Sequence, residues 1–119
     1  MRTFIAPLAL CVAVLAFAPA CGSAGGLGQK VDILADDYSF EPPTLTVEAR
    51  SYLLTVRNSG SVDHELALYS GVNFFGRTGP IMPGGTASLS VDLRPGVYSY
   101  VCQLDGHEQR GQKGTLTVS

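Results

Sequence analysis

From Lys30 onward the chain alternates apolar and polar side chains in short runs. In Leu54 and Val56 against Thr55 and Arg57, and in Leu89, Val91 and Leu93 against Ser88, Ser90 and Asp92, every second position is apolar. A period of two describes strands with one dry and one wet face, and no segment of this region carries a long helical period. Runs rich in Val, Leu, Thr and Tyr return at roughly ten-residue intervals between Pro, Gly, Asn and Ser punctuation, which predicts an all-β Greek-key sandwich of about seven to eight strands. The strands are expected at Val31 to Ala35, Thr44 to Glu48, Tyr52 to Asn58, Glu65 to Tyr69, Thr86 to Asp92, Val97 to Cys102 and Gly114 to Val118. Asn58 to Gly60, Met82 to Gly85 and Arg94 to Gly96 read as turns, because Pro presets φ and Gly tolerates a positive one. Phe40 to Pro43 reads as an extended bend, and Ser70 to Gly79 as an irregular strand or a short helical turn.

The pattern is different before Lys30. Arg2 is the only charged side chain ahead of an uncharged stretch from Phe4 to Ala20, and Ala18, Pro19 and Ala20 set small residues before Cys21. This is the layout of an export signal over residues 1–20, and Pro7 and Pro19 argue against reading it as a membrane-spanning helix. A cysteine directly after the small residues resembles the lipobox of bacterial lipoproteins, which implies a diacylglycerol on the Cys21 thiol. Ala18 departs from the Leu usual in that pattern. Gly22 to Gln29 reads as a flexible tether, so that the segments are signal 1–20, tether 21–29 and folded domain 30–119. The expected location is the outer face of a bacterial cytoplasmic membrane or the periplasm, held by the lipid on Cys21.

Composition narrows the function classes. With 119 residues there is room for one small domain beyond the signal. Ten acidic and eight basic side chains give a formal charge of -2, and no cluster of Lys or Arg supplies the phosphate-neutralising surface that nucleic-acid binding requires. A monomer is expected.

The chemistry concentrates at two places. Cys102 closes a Tyr-rich strand and is followed five residues later by His107, while the other histidine, His64, lies at the mouth of another strand. Strand ends of a sandwich cluster, so two loops at one end bring His64, Cys102 and His107 together. Two imidazoles and a thiolate form the ligand field of a mononuclear blue-copper site.

Four segments in order resemble the cupredoxins, over roughly residues 31–119. They are Phe40-Glu-Pro42 with Leu45-Thr-Val47; Val56-Arg-Asn-Ser-Gly60 followed by His64-Glu65; Met82-Pro-Gly-Gly-Thr86 with Arg94-Pro-Gly-Val-Tyr98; and Cys102 to His107 leading into Gly111-Gln-Lys-Gly-Thr-Leu-Thr-Val118. The resemblance implies one type 1 copper ion held by His64, Cys102 and His107, with His107 nearest the surface. It places Gln112 in the axial position usually filled by Met. An amide oxygen is a harder donor than a thioether, so the expected reduction potential is lowered. Met82 is an alternative axial donor, though it reads better as a packing side chain.

The expected function is one-electron transfer to and from an unidentified redox partner protein, with no catalysis. Two alternatives are copper handling or metal uptake, and a metal-free sandwich that binds something else. Zinc on the same ligands, a Cys21–Cys102 disulfide and a catalytic Cys–His pair are weaker readings. Asp63, Glu65, Asp105 and Glu108 read most simply as solvated loop charges.

Overall fold

The computed structural model describes residues 28–119. The export signal over 1–20 and the acylation of Cys21 fall outside the described residues, as does the tether up to residue 27. Nine strands make two sheets: β1 (Gln29–Asp36), β2 (Ser39–Glu41), β3 (Thr44–Val47), β4 (Ser51–Asn58), β5 (Ala67–Ser70), β6 (Asn73–Arg77), β7 (Thr86–Asp92), β8 (Gly96–Val101) and β9 (Lys113–Val118). The first sheet has the order β2-β1-β4-β7, the second β3-β9-β8-β5-β6. β1 runs parallel to β4 and β3 parallel to β9, while every other pair is antiparallel. Beyond the strands the described chain holds one 3-10 turn, Glu108–Arg110.

The alternation read from the sequence is what fills the space between the sheets. Ile33, Leu54, Val56 and Val91 face inward from the first sheet and meet Leu68, Tyr98, Tyr100, Leu116 and Val118 from the second. Ser88, Ser90 and Asp92, their polar alternates on β7, stay exposed. The three expected turns are present in the connections they were placed in. In the second, Gly85 N donates to Met82 O at 2.8 Å; in the third, the Tyr98 hydroxyl donates to Arg94 O at 3.0 Å and pins β8 to the turn before it.

Three expectations need correction and one open reading is decided. Phe40 lies in a three-residue strand, β2, where its buried ring meets Tyr100 edge-on at 5.3 Å. Of the two readings left open for Ser70 to Gly79, the irregular strand is the one found: β6 pairs with β5 at the sheet edge, with a register shift at Leu68/Tyr69. β5 begins at Ala67 rather than Glu65, because the chain from His64 to Leu66 is bonded instead to the segment at Thr78 to Ile81. Met82 is 72% exposed and packs against nothing in the core.

The ends of β1, β4 and β8 and the starts of β2, β5 and β9 gather at one end of the sandwich. That end carries the chemistry.

Candidate metal centre

Cys102 comes directly after β8 and is fully buried. Its amide donates to Gln112 O at 3.1 Å, so the loop that leaves β8 returns opposite the residue it left from. Within the loop His107 N donates to Leu104 O at 2.8 Å, and the 3-10 turn ends at Gly111, whose φ of 106° is open to glycine and strained for other residues. This folds His107 back over Cys102, with Nδ1 3.4 Å from Sγ. The 9% exposure of His107 is the largest among His64, Cys102, His107 and Gln112.

His64 arrives from the other loop. It pairs with Ile81 as an isolated antiparallel bridge, which fixes its backbone. Its ring is fully buried, 5.1 Å between centroids from that of His107. One donor atom from each of His64, Cys102 and His107 lies within 4.8 Å of the other two. The structure therefore brings together the three residues that the sequence paired across two loops.

Gln112 is also fully buried, and its side chain is held by one edge. Nε2 donates to Asp36 O at 2.9 Å and to Ser39 O at 3.2 Å, while Oε1 has no partner. His64 Nδ1 is likewise buried and unpaired. Buried polar atoms are paired in the great majority of proteins, so the unpaired Nδ1 of His64, on a ring that converges with a thiol and a second imidazole, marks a site arranged for a cation. Two imidazoles and a thiol converging in this way fit copper, with the soft sulfur selecting it over harder ions. Burial pushes the Cys102 thiol above its usual range, and backbone donation from Glu65 and Leu104 opposes that. Glu65 N lies 3.5 Å from Sγ.

Several residues around the site gave no signal in the sequence. Asp37, in the β1–β2 turn, accepts from His64 Nε2 at 3.0 Å, and from Ser61 through its amide at 2.9 Å and its hydroxyl at 2.6 Å. Donation by Ser61, then by His64, holds the Asp37 carboxyl well below the usual carboxylate range. Tyr38 follows with φ 65°, its ring edge-on to both His64 and His107, and the Arg110 guanidinium stacks on it at 4.4 Å. Asn58 is buried and ties the loop together: Nδ2 donates to Val62 O and Ile81 O, and Oδ1 accepts from Gly60 N. Glu65, read above as a solvated charge, is 1% exposed, its amide directed at Cys102 Sγ and its chain neighbours His64 and Leu66 bonded to the Thr78 to Ile81 segment. Asp63, Asp105 and Glu108 are exposed, as expected.

A family model described as a cupredoxin-like domain matches residues 7–118. The iron uptake system component EfeO of Yersinia pestis is 33% identical over 91 residues, which cover 76% of this chain and 23% of that protein. The chain thus spans about a quarter of the length of the curated relatives it matches. Among solved structures, auracyanin B aligns with a TM-score of 0.72 at 25% identity, covering 76% of this chain and 88% of its own. Auracyanin A of Chloroflexus aurantiacus, described as a "blue" copper protein, aligns with a TM-score of 0.68 over 77% of this chain and 99% of its own. At 17% identity the second likeness speaks for the fold alone.

Proposed function

Since the chain belongs to the cupredoxin-like domain family, we propose that it holds one type 1 copper ion on His64, Cys102, His107 and Gln112 and carries single electrons. The observation that supports this most is the buried convergence of one thiol and two imidazoles within 4.8 Å, at the strand ends of a rigid sandwich. A copper ion there would supply a one-electron couple. The protein keeps the donors nearly fixed: His64 by its bridge to Ile81, Cys102 by the hydrogen bond its amide donates to Gln112 O, and Gln112 by two carbonyls. Fixed donors keep the rearrangement between oxidation states small. The amide oxygen of Gln112 favours Cu(II), which lowers the potential relative to a thioether.

Electrons would pass at His107, the donor nearest solvent. It borders a shallow groove with Val62, Asp63, Pro80, Leu104 and Asp105, whose two carboxylates favour a partner with a basic face. The apolar part of this rim comes from Val62, Pro80 and Leu104. Val72 to Phe75 lie apart from this rim, at the β5–β6 corner, where Phe74 packs on Tyr69 and Phe75 on Tyr98. The uncharged run before Cys21 supports work outside the cytoplasm with the domain tethered by a lipid on Cys21.

A second reading is metal uptake or copper handling, favoured by the 33% identity to the iron uptake component. Redox titration separates the two. A carrier gives a reversible one-electron couple in the copper-loaded chain that Cys102→Ser abolishes; a binding protein retains metal in one valence and shows no reversible couple.

A further inference from the structure

Among the described residues Asp37 is the one carboxylate bonded to a donor of the site, and its surroundings are built for that contact. Oδ1 accepts from both His64 Nε2 and Ser61 N, and Oδ2 takes the Ser61 hydroxyl, so the carboxylate cannot swing away without losing three bonds. Space for it exists because residue 60 is glycine. A Cβ at Gly60 would stand 2.3 Å from Asp37 Oδ1 and 2.8 Å from His64 Nε2, inside both contacts. The Gly60 amide is in turn fixed by Asn58 Oδ1 at 2.8 Å. The same short turn supplies Asp36 O and Ser39 O to Gln112 Nε2.

We propose that Asp37 is the positioning residue of His64, seated in the space left by Gly60, and that it holds the imidazole in the tautomer protonated on Nε2 so that the Nδ1 lone pair is free for the metal. A neutral imidazole carries one N–H, and which nitrogen bears it is set by the hydrogen bond the other side makes. A carboxylate acceptor at Nε2 fixes the proton there and makes Nδ1 more basic. The unpaired, buried state of Nδ1 is the expected counterpart. A more basic donor stabilises Cu(II) more than Cu(I), so Asp37 and Gln112 act in the same direction.

This inference rests on the copper reading above only for its consequence; the tautomer itself is read without metal. In the metal-free full chain, long-range 1H–15N correlation spectra of the imidazoles should place the His64 proton on Nε2. Asp37→Ala should yield a mixture with the Nδ1-protonated form, and Gly60→Ala should do the same by displacing the carboxylate. Asp37→Asn keeps an acceptor and should retain the Nε2 form. In copper loading against a competing chelator, Cu(II) affinity should fall about 10- to 100-fold in Asp37→Ala, less in Asp37→Asn, and Cu(I) affinity should fall by a smaller factor than Cu(II) in each. A wild-type His64 protonated on Nδ1 overturns the proposal, and so does a tautomer unchanged by both Asp37→Ala and Gly60→Ala. A chain that takes up no copper while its His64 tautomer responds to Asp37 defeats the copper reading and leaves Asp37 as positioning residue.

Discussion

Gln112 makes the account at the level of single residues most exposed to test. Its amide is divided between two duties, with Nε2 on the carbonyls of Asp36 and Ser39 and Oε1 unpaired. Gln112→Met replaces oxygen by sulfur, so the reduction potential should rise in a spectroelectrochemical titration. It also leaves two carbonyls without their donor, and the metal-free protein should lose about 1–3 kcal/mol in urea unfolding. A potential that stays put would remove Gln112 from the ligand set. His64, Cys102 and His107 could be read in the sequence because imidazole and thiol at strand ends are scarce and chemically specific. Asp37 and Tyr38 could not: an aspartate and a tyrosine in a hairpin turn look like any turn, and Asp37 meets its histidine across 27 residues of chain. Glu65 was misread because a charged residue beside a loop histidine is ordinarily solvated, whereas here it is buried.

At the level of elements, period-two alternation located seven of the nine strands to within a residue or two, since core-facing positions on β4 and β7 must be apolar. β2 escaped notice because three residues give no period to count, and β6 could be read only as an irregular strand or a helical turn because the adjacent Phe74 and Phe75 break the alternation, where the pairing shifts register opposite Leu68/Tyr69. The β8–β9 pair offers two tests. Gly114 lies opposite Tyr100, and a Cβ there would fall 2.1 Å from the ring, so Gly114→Ala should cost about 1–3 kcal/mol by urea unfolding. Burial, with the Glu41 charge adding to it, pushes the Tyr100 hydroxyl up to about 12 from an ordinary 10.0. The folded state therefore holds this proton more tightly than the unfolded chain. Stability from Tyr100 is complete below pH 10 and should decline as pH rises towards 12, a slope that Tyr100→Phe should flatten in a pH series of unfolding curves.

For the whole molecule, the sandwich acts as a mount. The strand ends of both sheets hold the donors through hydrogen bonds and packing within the protein itself, so metal should add to stability without building the fold. At free copper about 100 times the dissociation constant the gain is about 2.7 kcal/mol, which for a domain of this size raises Tm by roughly 10 to 20 °C in calorimetry. Cys102→Ser should shrink that gain. A chain unfolded without copper would contradict a preformed site. The most direct test of the central claim is the visible absorption and EPR spectrum of the full chain with one equivalent of Cu(II), before and after ascorbate. A thiolate-centred copper site predicts an intense visible band that ascorbate bleaches, together with a narrow copper hyperfine splitting. A colourless product, or only the broad splitting of a tetragonal copper, would contradict it.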